Sequence, residues 1–145
     1  MKSTALRVCS TVGVLLWLAV ASAQAQTATQ YRGQIPFAFS VGQETFAAGD
    51  YVIELASPQS NQRTLLIRSA TGGEARMVPT IAQVPNAKGA PARLLFNRYD
   101  QLYFLAEMRT PTLGAKLFKG KVERHRAEQR NHRAPRRETV GLLSH

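Results

Sequence analysis

Residues 91–108 constrain the fold most, because two apolar runs flank the polar pair Asp100-Gln101. Runs rich in aromatic and branched residues favour β-strands, and a two-residue polar loop between them predicts a hairpin. With this loop, the predicted cross-strand pairs are Tyr99 with Leu102, Arg98 with Tyr103, Asn97 with Phe104, Phe96 with Leu105, Leu95 with Ala106 and Leu94 with Glu107. Both faces of the hairpin are partly apolar, which indicates strands that are covered on both sides.

Other segments repeat the alternating pattern of strands. Residues 31–42 place Ile35, Phe37, Phe39 and Val41 on one face, and Pro36 predicts an edge position or a late start of pairing. Further strands are predicted at 50–56, 63–69, 74–80 and 114–118, with turn residues between them. About six to eight short strands of this kind predict an all-β domain, either a small antiparallel sandwich or a barrel.

Residues 1–25 have the build of a secretory signal peptide. Lys2 and Arg7 precede an apolar run at 12–21, and Ala21-Ser22-Ala23 and Ala23-Gln24-Ala25 are two small-x-small cleavage motifs. The apolar run is shorter than the roughly 20 residues of a spanning helix, and no other stretch of the sequence is suited to span a membrane as a helix. We therefore expect export, to the periplasm or outside the cell.

The distribution of cysteine and histidine excludes several kinds of chemistry. The single cysteine, Cys9, lies in the predicted leader, and residues 26–121 contain no histidine. Disulfides, thiolate metal sites and cysteine- or histidine-dependent nucleophilic catalysis are thereby excluded from the predicted domain. Glu54 and Glu107 are the candidates for a paired-carboxylate hydrolase, but nothing in the sequence places them together. We expect no enzymatic activity and no cofactor.

Four segments together resemble a known family. They are IPFAFSVG at 35–42, AGDYVIE at 48–54, LFNRY at 95–99 and YFL at 103–105. Their order and spacing are similar to those of small secreted bacterial β proteins of unknown function, and the resemblance covers roughly residues 34–108. It implies an exported β fold and brings no activity with it.

The chain departs from this family pattern at two turns. Alanine stands at 47 and 48, where the family has a proline before Ala-Gly. Asp100-Gln101 replaces the family's Gly-Asp hairpin turn. Aspartate adopts a positive φ more readily than most residues but less readily than glycine, so we expect either a looser turn or a longer loop here than in the family.

Positive charge is concentrated at the C-terminal end. The whole chain has 19 Lys and Arg against 9 Asp and Glu. From Lys116 onward there are nine basic and three acidic residues, whereas residues 26–115 have eight basic and six acidic ones. The sequence thus divides into a signal peptide (1–25), a nearly neutral β domain (26–118) and a basic tail (119–145).

The basic tail is the best candidate for a functional segment. Its stretch 122–133 is compatible with a helix but has almost no apolar stripe, and Ala134-Pro135 ends any helix, so we predict a tail that is partly helical or disordered and mobile at its end. With Lys116, the candidate residues for binding an anionic surface are Lys119, Lys121, Arg124, Arg126, Arg130, Arg133, Arg136 and Arg137.

Three partners are weighed for this tail. An anionic envelope polymer or an envelope protein fits the charge, and a merely solubilising extension is the alternative. Nucleic acid is disfavoured because no aromatic residue follows Phe118. A metal site from His125, Glu128 and His132 is disfavoured because the two histidines are two helical turns apart and six arginines repel a cation.

The predicted function is therefore a non-enzymatic structural or interaction role in the cell envelope. The alternative is a small β-barrel that binds an apolar ligand in a cavity lined by Phe37, Phe39, Phe96, Phe104 and Leu105. A binding role for Arg98, Tyr99 and Tyr103 at the hairpin rim is conceivable, although sheet packing explains them more simply. The sequence does not indicate an oligomeric state.

Overall fold

The computed structural model describes residues 29–56, 64–73, 75–85, 87, 89–112, 114–130 and 133–144. The predicted signal peptide lies outside these ranges. The strands are β1 (Gln30–Ile35), β2 (Phe39–Val41), β3 (Glu44–Phe46), β4 (Gly49–Ala56), β5 (Thr64–Ser69), β6 (Arg76–Val84), β7 (Arg93–Tyr99), β8 (Leu102–Arg109), β9 (Gly114–Leu117), β10 (Arg136–Gly141) and β11 (Leu143–Ser144), and α1 (Lys121–Gln129) lies between β9 and β10.

The fold is all-β and sandwich-like, as predicted. The described residues form eleven strands instead of six to eight, because β2 and β3 are additional strands of only three residues each and β10 and β11 come from the basic tail. One sheet has the order β11-β1-β4-β5-β6, and the other has the order β6-β9-β8-β7-β10. The sheet system is mixed and not purely antiparallel, because β2 pairs with β8 in parallel at Ser40 and Phe104.

Strand β6 joins the two sheets at one side of the sandwich. Its first half pairs with β5 as far as Pro79, and its second half pairs with β9 from Thr80 onward. The register shifts between Thr80 and Ala82. A proline lacks a backbone donor, so it is tolerated where a strand passes from one neighbour to another.

The C-terminal segment joins the sheets at the opposite side. Strands β10 and β11 lie at the two ends of the pairing path and are separated in the chain only by Leu142. Strand β10 pairs with β7 and β11 pairs with β1, while the Leu142 amide donates a 2.9 Å hydrogen bond to the Ala92 carbonyl. The path is not closed by a ladder, but one continuous segment connects its ends. The prediction of a mobile end is therefore wrong for residues 136–144.

The central hairpin has the predicted two-residue loop. Its first four predicted pairs, from Tyr99–Leu102 to Phe96–Leu105, are confirmed, but the last two are wrong. A register shift between Leu95 and Phe96 leaves Ala106 without an opposite residue, so Leu95 pairs with Glu107 and Leu94 with Met108. Such a bulge moves every residue of β8 beyond Ala106 to the opposite face of the sheet from the one predicted.

The core lies between the two sheets. The predicted strand at 31–42 is divided at Pro36, after which the chain passes from β1 in one sheet to β2 beside the other. Its alternation is nevertheless kept, because Ile35, Phe39 and Val41 are all buried. The most deeply buried apolar side chains include Ile35, Phe39, Ile53, Leu65, Ile67, Leu94, Phe96, Leu105 and Met108.

Candidate anion-binding site

Helix α1 lies over the second face of the hairpin, the face turned away from the core. Glu123, in its first turn, is only 2% exposed and accepts a 2.7 Å hydrogen bond from Asn97 Nδ2. Burial raises the pKa of the Glu123 carboxyl, and the hydrogen bond from Asn97 and the charges of Lys119 and Arg137 offset this only in part. The helix is thus held on the sheet by a buried polar contact, which explains why its sequence shows almost no apolar stripe.

A cavity of about 650 Å³ opens where the hairpin turn meets the basic tail. Four elements contribute to it: the end of β7, the hairpin turn, the C-terminal end of α1 and the start of β10. We call it the arginine pocket; its lining residues are Arg98, Asp100, Gln101, Arg130, Arg133, Ala134 and Arg136.

The turn side of the arginine pocket is held in place by aspartate and aromatic contacts. Arg98 Nε donates a 2.9 Å hydrogen bond to the Asp100 carbonyl, and its guanidinium lies 5.3 Å from the centre of the Tyr103 ring. Tyr103 in turn stacks on Phe37 at 3.8 Å between ring centres. Arg130 forms an ion pair with the Asp100 carboxylate. The predicted cross-strand pair Arg98–Tyr103 therefore also forms a cation–π contact.

The electrostatics of the arginine pocket favour an anion. Four guanidinium groups face one carboxylate, which leaves a formal charge of +3. Arg133 and Arg136 are exposed, and within the described ranges no carboxylate forms an ion pair with either of them. Guanidinium groups bind carboxylate and phosphate oxygens with paired, charge-assisted hydrogen bonds, so these two side chains are positioned to bind an anionic group.

The structure divides the eight predicted tail residues into three groups. Arg130, Arg133 and Arg136 line the arginine pocket. Lys119 and Arg137 lie beside a smaller cavity under the N-terminal part of α1. The other three, Lys121, Arg124 and Arg126, are exposed along α1.

The sequence alone does not identify Arg98 as a residue of an anion-binding pocket. It lies in the β domain, outside the basic tail, and the arginine pocket forms only because β10 returns to pair with β7, which places Arg136 opposite Arg98. The signal in the sequence is the predicted Arg98–Tyr103 pair across the hairpin, for which the sequence alone favours sheet packing.

A second arginine cluster surrounds Glu107 on β8. Arg109 donates hydrogen bonds of 3.1 and 2.8 Å to this carboxylate, and Arg137 from β10 donates two more at 3.3 and 3.4 Å. Burial by itself raises the pKa of the Glu107 carboxyl, but these hydrogen bonds and charges outweigh it and hold the pKa below its usual value. Glu107 therefore binds β10 to the sheet as a carboxylate.

The described residues assemble neither the candidate carboxylate pair nor the candidate histidine metal site. Glu54 is in β4 beside Arg68, at 3.8 Å, whereas Glu107 is in β8 of the other sheet. His125 Nε2 lies 3.0 Å from Gln129 Nε2, and His132 is outside the described residues. In the part of the chain that the structure describes, no three His, Cys, Asp or Glu side chains are grouped as metal ligands.

The five residues predicted to line an apolar cavity are not all on one face. Phe37 and Phe39 pack against Phe96 edge to face, with ring centres 5.1 and 5.5 Å apart, and Leu105 belongs to the same core. Phe104 lies on the opposite face of the hairpin, where its ring centre is 5.8 Å from that of Tyr99. The rings on the core side contact one another directly.

Comparison with known proteins finds no matching family model, no matching curated protein and no matching solved structure. The resemblance of residues 34–108 to small secreted β proteins therefore stays an expectation. None of the helices among the described residues has the length and apolar character needed to cross a membrane.

Proposed function

We propose that this protein is an exported, non-enzymatic β scaffold of the cell envelope that binds an anionic polymer through the arginine pocket. One observation carries the proposal: β10 and the end of α1 bring Arg130, Arg133 and Arg136 to Arg98 around one cavity. A basic segment that merely solubilises its protein needs no such convergence of charge.

The rigid setting of the pocket also supports binding. Arg98 and Arg136 are directly opposite each other in the β7–β10 ladder, an arrangement in which like charges repel. An anion between the two guanidinium groups converts this repulsion into attraction. Because the backbone of both strands is fixed by pairing, the conformational entropy lost when an anion binds comes from the side chains and not from these strands.

The alternative function, binding of an apolar ligand, has weaker support. It requires Phe37, Phe39 and Phe96 to surround a space, and these three rings pack on one another instead. The arginine pocket, in contrast, is lined mainly by charged side chains. These two observations therefore favour an ionic ligand over an apolar one.

The test compares binding to immobilised alginate, polyphosphate and neutral dextran by the mature chain at increasing NaCl concentration. The test variant is the double substitution Arg133→Gln/Arg136→Gln, and the control is Arg124→Gln/Arg126→Gln on the exposed surface of α1. Both variants lose two positive charges. Deleting residues 119–145 is unsuitable, because it removes β10 and β11.

We expect the mature chain to bind at least one anionic polymer, with affinity falling as salt rises, and not to bind dextran. The pocket variant should bind about tenfold more weakly, since the loss of two charge-assisted contacts is worth roughly 1–2 kcal/mol. The control should change affinity less than about threefold. Two results contradict the proposal: an equal loss of affinity in the pocket variant and the control variant, or binding to dextran as tight as binding to the anionic polymers.

A further inference from the structure

A second cavity, of about 300 Å³, lies between α1, β9 and the start of β10. We call it the polar cavity; it is lined by Asn97, Ala106, Lys116, Leu117, Lys119, Glu123, Ala134, Pro135 and Arg137. It shares Ala134 with the arginine pocket, so the two cavities adjoin.

The polar cavity contains a buried hydrogen-bonding group without a partner. Asn97 is 4% exposed, and its Oδ1 accepts no hydrogen bond from the described residues. Tyr99 projects from the same face of β7 two residues further on, and its buried hydroxyl is likewise without a partner among those residues. Buried polar atoms in native proteins are nearly always hydrogen-bonded. Because Asn97 lines the polar cavity, a ligand that donates a hydrogen bond can satisfy this acceptor.

Glu123 adds a second polar group to the cavity. Its carboxyl is buried beside Asn97 and accepts the 2.7 Å hydrogen bond from Nδ2. The carboxyl oxygens of Glu123 and the unpaired Oδ1 of Asn97 are hydrogen-bond acceptors of two neighbouring side chains that line the cavity. A ligand with adjacent hydroxyl groups supplies the matching donors.

The mouth of the cavity is cationic. Lys116 and Lys119 are exposed at its edge, and Arg137 lies beside them with part of its charge engaged by Glu107. The lining of the cavity also includes the apolar residues Leu117, Ala106 and Pro135. A ligand that fits this arrangement has hydroxyls, a compact body with C–H faces and one acidic group.

We propose that the polar cavity binds an acidic sugar unit, with its hydroxyls on Asn97 and Glu123 and its carboxylate or phosphate at Lys116 and Lys119. The inference rests on the proposed function and deepens it, because it assigns the anionic polymer to the acidic polysaccharides. The next acidic group along such a polymer reaches the adjoining arginine pocket.

The experiment titrates the isotopically labelled mature chain with small molecules and follows the side-chain amide of Asn97 and the backbone amides around it by NMR. The probes are glucuronate and glucose 6-phosphate, which have both features of the ligand. The comparison probes are glucose, which lacks the acid, and acetate and inorganic phosphate, which lack the hydroxylated ring. Lys119→Gln is the test variant, and Lys121→Gln, two residues away and outside the cavity, is the matched control.

We expect at least one acidic sugar to shift the Asn97 side-chain amide and to bind at least tenfold more tightly than glucose, acetate or phosphate. Lys119→Gln should weaken this binding about fivefold, as expected for one lost charge-assisted contact, and Lys121→Gln less than twofold. A preference for glucuronate or for glucose 6-phosphate identifies the acidic group. Asn97→Ser, with folding checked by its amide spectrum, should abolish the preference for sugar over the simple anion.

Three results overturn the inference: equal binding of acetate or phosphate, equal binding of glucose, or shifts confined to residues outside the polar cavity. Failure here is distinct from failure of the proposed function. Polymer binding that depends on Arg133 and Arg136 persists if the polar cavity is empty, and sugar binding at Asn97 is measurable without any polymer.

Discussion

Leu142 packs directly on the backbone of Gly33, so closely that a Cβ built on Gly33 would lie 2.5 Å from Leu142 Cδ2. The contact stands at the point where the chain passes from β10 to β11. Gly33 belongs to β1, the partner of β11, so the missing side chain makes room for the leucine that joins the two sheets. The sandwich is thus held together on this side by Leu142, by Val140, which packs against the same core, and by the β10–β7 and β11–β1 ladders.

The first prediction concerns Leu142, which is 7% exposed and belongs to the core. Leu142→Ala should lower the free energy of unfolding by about 2–4 kcal/mol, because it removes buried methyl groups and leaves a cavity between the sheets. Urea denaturation followed by circular dichroism measures the change. The control is Leu143→Ala, at the neighbouring residue that is 77% exposed, for which we expect a change within about 0.5 kcal/mol. Similar losses in both variants would show that Leu142 has no special role.

The second prediction concerns Gly33. Gly33→Ala should destabilise the fold by about 1–3 kcal/mol, because the new methyl group forces Leu142 out of its position. In the background of Leu142→Ala the same substitution should cost much less, since the obstructing side chain is gone. A double-mutant cycle measures this coupling. Additive effects would contradict direct contact as the cause.

The sequence was sufficient to predict most of the β domain but not this junction. The alternation of large apolar residues with small or polar ones identified the buried face of residues 31–41. The polar pair Asp100-Gln101 identified the hairpin loop. The bulge at Ala106 was not predictable, because alanine is tolerated on either face of the hairpin. Only the packing of Met108 in the core decides the register. Strand β10 escaped prediction because Arg136, Arg137 and Glu138 resemble a solvated charge run.

The third prediction follows from the raised pKa of Glu123. Between the ordinary value of 4.5 and the raised value, the folded state holds a proton that the unfolded state has lost, so stability falls as pH rises through this window and then levels off. Glu123→Gln keeps an acceptor for Asn97 Nδ2 and removes the titration. We expect the variant to match the parent chain below pH 4.5 and to be more stable above the raised pKa. Urea midpoints from pH 4 to 8 test this, and parallel pH profiles would refute it.

The fourth prediction concerns Glu107, whose contribution to stability has the opposite pH dependence. The pKa of Glu107 lies below 4.5 in the folded state, so its ionised form stabilises the fold above that value and the contribution is lost as pH falls through the folded pKa. Glu107→Gln should therefore cost about 1–3 kcal/mol at pH 7, through lost hydrogen bonds to Arg109 and Arg137. The difference should shrink in acid. A deficit that is constant with pH would show that packing, and not charge, is the cause.

The candidate site was predictable only in part. Charge counting selected the basic tail correctly as the place where cations concentrate, and Arg130, Arg133 and Arg136 do meet at one cavity. The two partners that complete the cavities, Arg98 and Asn97, belong to β7 and come near the tail only through tertiary pairing. No local pattern in a sequence encodes such a return of the chain.

The last prediction concerns Asp100, the acidic residue of the arginine pocket. Its φ of 56° lies in the left-handed region, which asparagine adopts as readily as aspartate. Asp100→Asn therefore keeps the turn but releases Arg130 from its ion pair and raises the formal charge of the pocket from +3 to +4. We expect binding to anionic polymers to strengthen about threefold to tenfold and to depend more steeply on salt. The matched control is Glu128→Gln, an exposed acid on α1 outside the pocket, which removes the same charge and should change affinity less than twofold. Weaker binding by Asp100→Asn would show that the carboxylate positions Arg130 for the ligand and does not compete with it.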